Sequence, residues 1–315
     1  MQLKNTKVIF TLNIYIMKTL LLSLISILAL NSYSQNVYIP DANFKSYLVD
    51  NSSINTNADN EIQESEASAF TGVIGCNASN ISDLTGIEEF TALTWLFCIG
   101  NQLTSLDVSS NTALTSLSCG NNPLTTLDIY QNTALTTLVC FENQLTSLDV
   151  SNNTELTYLD CANNPLAILN VSQNTALETL DCLATELTSL DVSENAALTT
   201  LSCGQNIFLT CLNVQNGTNT GLLLGASNCP NITCIEVDDA VYSTANWFNI
   251  DTGVSFSEDC YTTCLSVSLN ELSNTPKKLL KIFDIIGRET PFKPNTLLIY
   301  VYDDGTTQRV FKLEE

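Results

Sequence analysis

Histidine is missing from all 315 residues, and no Lys or Arg occurs between Ser46 and Pro276. Without an imidazole, a Ser or Cys nucleophile has no triad partner. Without Lys, the same stretch offers no Schiff base and no phosphate clamp. Those 231 residues carry 26 Asp and Glu, within a net charge of −22. Such a surface cannot neutralise phosphates, so it repels DNA, RNA and anionic lipid. It suits cations, cationic partners or neutral polymers, and equally plain solubility in a salty medium. Carboxylates, hydroxyls and thiols are the reactive groups that remain. Paired carboxylates hydrolyse glycosides when they face each other across a cleft, and a convex rod does not obviously provide one. The chain is therefore read as non-enzymatic, with a carbohydrate-active enzyme as the catalytic alternative.

What is present is a repeat. Between Leu93 and Asn206 the pattern L-T-x-L-D-V-S-x-N-T-A-L-T-x-L-x-C-x-x-N-x recurs every 21 residues. Leu103, Leu124, Leu145, Leu166 and Leu187 open successive copies, and Cys98, Cys119, Cys140, Cys161, Cys182 and Cys203 keep one phase. A period near 20 means a solenoid whose coils cannot bury their apolar faces alone. Each copy holds L-x-x-L-x-L-x-x-N twice, as Leu103, Leu106, Val108, Asn111 and then Leu114, Leu117, Cys119, Asn122. The L-x-L alternation puts those side chains on one face of a strand, the inside of a coil. The following Asn is expected to turn the chain, because Asn tolerates left-handed backbone and its amide can satisfy buried backbone groups. About eight stacked coils would form a rod of roughly 35 to 40 Å carrying a parallel sheet.

The half-repeats L-T-S-L-S-C-G-N-N, L-T-T-L-V-C-F-E-N and L-T-Y-L-D-C-A-N-N resemble the leucine-rich repeat family in its short bacterial form. That resemblance implies a repeat solenoid of 21-residue coils with a parallel β-sheet, acting as an interaction module. Thr185 departs from the pattern where Asn is expected, and Ile207-Phe208 adds one residue before Leu209. Residues 71–238 are assigned to the repeats, 35–70 to a small helical N-terminal cap, and 239–264 to a C-terminal cap.

Met17-Lys18, the apolar run Thr19 to Leu30, and Asn31 to Gln35 read as a secretory signal over residues 1–34, with Met17 a candidate start. A transmembrane helix from Val8 to Leu30 is opposed by Lys18 in its middle, at about 2.5 to 3.5 kcal/mol. Beyond Pro276 basic residues return with short alternating strands, at 280–283, 297–302 and 309–313, and a turn at Asp303-Asp304-Gly305. A small antiparallel C-terminal module is expected over 265–315. Its Asp284, Gly287 and Arg288 resemble the D-x-x-G-R core of the type IX secretion sorting domain of Bacteroidetes-like bacteria. Pro294-Asn295-Thr296 departs from the usual approach. The resemblance implies export and surface anchoring; the bland reading is an end cap.

Asn55 to Glu66 matches a twelve-residue EF-hand-type loop. The candidate calcium ligands are Asn55, Asn57, Asp59, Glu61 through its carbonyl, and Glu66. Asn60 stands where Gly normally takes the left-handed turn. A helix capped by Asp41 should enter and another should leave from Glu66. The competing reading is a solvated loop whose side chains cap the next helix.

Asp107, Asp128, Asp149 and Asp191 form an acidic row, completed by Asn170 and Asn213. Either hydroxyls of adjacent coils or bound cations should offset its repulsion. The repeating cysteines read as core thiols, since Cys packs as a small hydrophobe. Among Cys211, Cys229, Cys234, Cys260 and Cys264 some should pair in an oxidising compartment. The outward side chains of the second half-repeat form the candidate binding face: Trp95, Phe97, Thr137, Tyr158, Asp160, Thr179 and Asp181, with packing under the N-terminal cap as the alternative for Trp95 and Phe97. The function expected is a secreted or surface interaction module (adhesin, scaffold or adaptor-like) for a protein or glycan. A calcium-collecting matrix protein is the alternative.

Overall fold

The computed structural model describes residues 35–217, 219–260, 279–284, 297–302 and 307–311. The signal segment, Cys264, Gly287, Arg288 and the turn at Asp303 to Gly305 lie outside the described residues. The chain divides into two compact units after Cys264.

The larger unit is a parallel solenoid. Each L-x-L of the second half-repeat forms a three-residue strand. These are β1 (Val73–Gly75), β2 (Trp95–Phe97), β3 (Ser116–Ser118), β4 (Thr137–Val139), β5 (Tyr158–Asp160) and β6 (Thr179–Asp181), joined by β8 (Thr200–Ser202) and β10 (Leu223–Gly225). They build one eight-stranded sheet in chain order, and the bridge Ala226↔Ile250 begins a further turn. Leu96, Leu117, Leu138, Leu159, Leu180 and Leu201 pair in register along it. All point inward and are buried, as are the coil-opening leucines Leu103 to Leu187. Each such side chain contributes about 1.5–3 kcal/mol by leaving water, so a coil is stable only with neighbours above and below.

The first half-repeat behaves differently. From Leu103 to Val171 it forms no strand, and its backbones meet at the isolated bridge Asp107↔Asp128 and where Gln144 N–H donates to the Leu124 carbonyl at 2.8 Å. Strands appear there from β7 (Ser189–Asp191) onward, with β9 (Cys211–Asn213), β11 (Cys234–Glu236) and β12 (Ser255–Ser257) completing a second sheet in the order β12-β11-β9-β7. Pairing begins where Ile207-Phe208 lengthens the coil, so that Ser189 pairs with Cys211. The added residue gives the backbone the slack to reach its neighbour.

Two asparagine ladders run through the core. Asn122 Nδ2 donates to Cys98 and Cys119 carbonyls at 3.0 Å, while its Oδ1 accepts from Leu103 N–H at 3.1 Å. Asn143 and Asn164 repeat this one coil on. In the second ladder Asn153 Nδ2 donates to Ile129 and Asn132 carbonyls at 3.1 and 2.9 Å. The expected left-handed turn is not made by these residues. It falls one position earlier, at Asn121, Glu142, Asn163, Ala184 and Gln205, with φ between 49° and 57°. The ladder amides must face inward to reach the carbonyls, so the bend passes to the solvent side. At the gap, Thr185 Oγ1 donates to Asn206 Oδ1 at 2.6 Å, and Leu166 N–H turns to the Asn164 carbonyl.

The cap comprises α1 (Ala42–Val49) and α2 (Glu64–Ala69). Asp41 caps α1 by accepting from Asn43 and Phe44 N–H, and its other oxygen accepts from Ser82 N–H and Oγ, tying the cap to the first coil. At the far end α3 (Ala240–Asn246) lies within the loop closed by the Cys234–Cys260 disulfide. Cys211 is also disulfide-bonded, whereas Cys229 stays a buried thiol. Among the described residues no helix is long and apolar enough to cross a membrane. The smaller unit is an antiparallel sheet of β13 (Leu279–Asp284), β14 (Leu297–Tyr302) and β15 (Thr307–Phe311).

Asn153→Ala should destabilise the rod by about 1–3 kcal/mol for each carbonyl it orphans, read by urea denaturation. Thr185→Asn, which restores the ladder donor and acceptor, should stabilise by about 1 kcal/mol in the same measurement.

Candidate functional site

The outward side chains of the eight-stranded sheet form two columns. One runs Val73, Trp95, Ser116, Thr137, Tyr158, Thr179, Thr200, Leu223, and the other Gly75, Phe97, Ser118, Val139, Asp160, Asp181, Ser202, Gly225. Strand alternation is the cause: with every second residue committed to the core, its neighbours must point out. Trp95 is 45 % exposed and Tyr158 38 %. Trp95 packs on Phe97, ring centroids 5.9 Å apart. The aromatics buried beneath the cap are instead Phe90, with Phe70 against its edge at 6.2 Å.

Thr137, Tyr158 and Thr179 are direct neighbours across β4, β5 and β6, as are Val139, Asp160 and Asp181. Trp95 lies three strand spacings from Tyr158, about 14 Å along the sheet. The seven candidate residues therefore share one face but form two groups. Between them lies Phe141, which the sequence reading passed over. Its ring covers Gly120, where an added Cβ would approach it to 2.7 Å. The signal was available: the position after each ladder cysteine also points toward this face, holding Ile99, Gly120, Phe141, Ala162 and Leu183 in turn.

Asp160 and Asp181 sit side by side, and among the described residues no Lys or Arg pairs with either. Oδ1 of each accepts from the N–H two residues on, Ala162 at 3.2 Å and Leu183 at 3.0 Å. Burial pushes the Asp160 carboxyl above its ordinary value, the Ala162 N–H pulls it back, and the charge of Asp181 adds to the rise. Burial, then Asp160 and Asp181, raise the Tyr158 phenol as well.

The acidic row on the other side of the coil is not bridged by hydroxyls of adjacent coils. Each member accepts from its own coil, not from a neighbour. Asp107 Oδ1 accepts from Ser109 N–H and Oγ, at 2.9 and 2.6 Å. Asp128, Asp149, Asn170, Asp191 and Asn213 accept from the N–H two residues on. The Ser109 and Ser151 donors hold Asp107 and Asp149 below the usual carboxylate value. A shallow groove lined by Asp128, Tyr130 and Asp149 opens between two of these coils.

The Asn55–Glu66 loop is tightly closed by its own donors. Asn57 and Asp59 each accept from the backbone two residues on, at 2.8 and 2.7 Å. Glu66 Oε1 accepts from Thr56 N–H and Oγ1 and from Asn57 N–H, and its Oε2 accepts from Gln63 N–H. Helix α2 starts at Glu64 rather than Glu66, so Glu66 completes a capping box with Gln63. Glu61 pairs through its carboxylate with Lys45 at 2.7 Å. The left-handed residue is Ala58, not Asn60. Asn55 is buried: Nδ2 donates to the Val49 and Asp59 carbonyls, while Oδ1 has no donor.

Eight free thiols, Cys76 to Cys229, stack through the interior. Burial pushes Cys76 and Cys119 up to about 12 and the others upward too. They are packing groups and not nucleophiles, because the thiolate is the reactive form.

The shifts carry a pH signature. A raised folded value means Asp160 favours folding while protonated and loses that contribution as pH rises through the folded value. Asp160→Asn should therefore raise the melting temperature near neutral pH, with the gain vanishing in acid. Asp107→Asn should do the reverse: its lowered value contributes stability at neutral pH that disappears as pH falls below the ordinary carboxylate range.

No protein-family model matches the chain. Over 78 residues it is 38 % identical to internalin J of Listeria monocytogenes, a stretch covering 25 % of this chain and 8 % of that protein. The solved functional domain of InlJ from Listeria monocytogenes, described as including a cysteine ladder, matches with a TM-score of 0.52 and 35 % identity, over 65 % of this chain and 53 % of that one. A leucine-rich repeat protein of Leptospira interrogans matches at 22 % identity and a TM-score of 0.44, over 55 % of this chain and 47 % of that one. The chain thus spans about half of the solved InlJ domain and a small part of the whole internalin. With its parallel coils and stacked thiols, the chain is a leucine-rich repeat protein similar to the internalins of Listeria.

Proposed function

We propose that this chain is a secreted or cell-surface interaction module, without catalytic activity, that binds a protein or glycan through the outer face of its eight-stranded sheet. It would serve as an adhesin, scaffold or adaptor. The observation that carries this reading is the exposure of Trp95 and Tyr158 on one sheet face, with Val73 and Leu223 exposed in the same column at its two ends. Aromatic anchors dominate binding energies, and a face held by the coil ladder loses little entropy on contact. The lack of histidine throughout, and of Lys and Arg from Ser46 to Pro276, supports a non-catalytic role. The signal-like residues 1–34 and the sorting-domain-like tail support export and surface anchoring, and the likeness to InlJ supports the interaction role.

The test is a screen of the immobilised full chain against protein and glycan arrays. Ligands retained by the wild type should weaken about tenfold or more with Trp95→Ser or Tyr158→Ala. They should be unaffected by Asp128→Asn with Asp149→Asn on the other side of the coil. Equal binding by all variants overturns the assignment of the face.

A second reading concerns the cap. We propose that calcium tightens the 55–66 loop through the side-chain oxygens of Asn55, Asn57, Asp59 and Glu66 and the Glu61 carbonyl. The supporting observation is the gathering of the Asn57, Asp59 and Glu66 side-chain oxygens by bonds within one short loop that begins at the buried Asn55. Millimolar calcium should then raise the melting temperature by several degrees in the wild type and not in Asn55→Ala, while magnesium does neither. An equal response in both proteins overturns it.

A further inference from the structure

The outer sheet face carries a charge arrangement that narrows the kind of partner it takes. Asp160 and Asp181 occupy adjacent strands in register, about 4.8 Å apart along the sheet. Each commits Oδ1 to a backbone N–H, and among the described residues no donor reaches the second oxygen of either. Both are half-buried, so solvent and salt screen them less than a fully exposed pair. The stretch from Ser46 to Pro276 holds no cation that could lie between them. The exposed ring of Tyr158 stands two residues before Asp160 on the same face, and the hydroxyls of Thr137 and Thr179 flank it. Nowhere else on this sheet do two carboxylates adjoin an aromatic ring.

We propose that Tyr158, Asp160 and Asp181 form a receptor for an arginine side chain on a cationic polypeptide partner. The inference rests on the outer face being the binding face. The guanidinium is planar and presents a fork of N–H donors, so one group can bridge both free carboxylate oxygens while its plane stacks on the Tyr158 ring. A lysine ammonium is a point charge that cannot do both. Charge complementarity selects the partner's sign, and the paired geometry selects arginine. Among the described residues this part of the face carries no counter-charge, so the incoming cation relieves the repulsion between the two aspartates as it binds.

The test uses the full chain and two probes, nona-arginine and nona-lysine, with affinities measured by calorimetry at physiological ionic strength. The arginine peptide should bind about tenfold tighter than the lysine peptide. Asp160→Asn with Asp181→Asn should weaken arginine binding about tenfold or more, and Asp128→Asn with Asp149→Asn, which removes the same charge elsewhere, less than about twofold. Tyr158→Ala should reduce the preference for arginine over lysine. Circular dichroism and melting temperature verify that each variant is folded. Equal affinity for the two peptides, or equal loss in both double variants, overturns the inference, because net charge alone would then account for the binding. Should array ligands still depend on Trp95 and Tyr158 in that event, the face stands and only its arginine specificity falls; if neither probe nor array ligand depends on the face, both fail.

Discussion

Backbone carbonyls turned into the core of a narrow coil are the constraint on which the rest of this structure depends. A coil of 21 residues has too little regular structure to satisfy its own polar backbone, and an unpaired buried carbonyl is costly. Two buried asparagines per coil answer this: one donates to carbonyls of its own coil and the coil before, and the other donates twice to the coil before. The amides hold adjacent coils together, so each coil takes its geometry from its neighbours. The leucines and thiols add a non-directional driving force to that scaffold. Where Thr185 breaks one ladder, the neighbouring groups rearrange locally and the stack continues.

The rigid stack separates inside from outside on every strand. Inside, cysteine is a small apolar group whose thiol is buried well above its usual range, which fits a row of packing residues. Outside, carboxylates are kept ionised or pressed toward neutrality by local surroundings. Asp107 and Asp149 gain donors from their own turns, whereas Asp160 is burdened by burial and by Asp181. Two acidic patches of similar composition thus have different physical chemistry. A tyrosine stands beside each, Tyr130 and Tyr158, and they differ in burial: the Asp128 and Asp149 side is exposed, whereas Asp160 and Asp181 are half-buried.

Much of the fold was legible because a repeat reports the same constraint several times. Period two within each L-x-L, and 21 between copies, suffices to place Leu117, Leu138 and Leu159 inside. Asp41 as a helix cap was legible for a similar reason, since capping is local chemistry. The site was less legible. Tyr158, Asp160 and Asp181 were found by counting outward positions, but Phe141 escaped because it follows the strand. The asparagines were assigned a turn that actually falls one residue earlier, since pattern alone does not distinguish an amide that bends the chain from one that satisfies it. The loop at Asn55 to Glu66 matched a ligand spacing, yet its carboxylates also serve as acceptors for helix and loop N–H groups.

Alternation and period are properties of covalent geometry, so the sequence by itself determined the solenoid, its register and which side chains line its interior. Only the tertiary structure decided which half of each coil pairs into a continuous sheet, which distal cysteines form disulfides, and which aspartates stand together without a counter-charge. Those outcomes depend on distances between coils of unequal length and on the burial that neighbours impose, and neither is written in any one repeat.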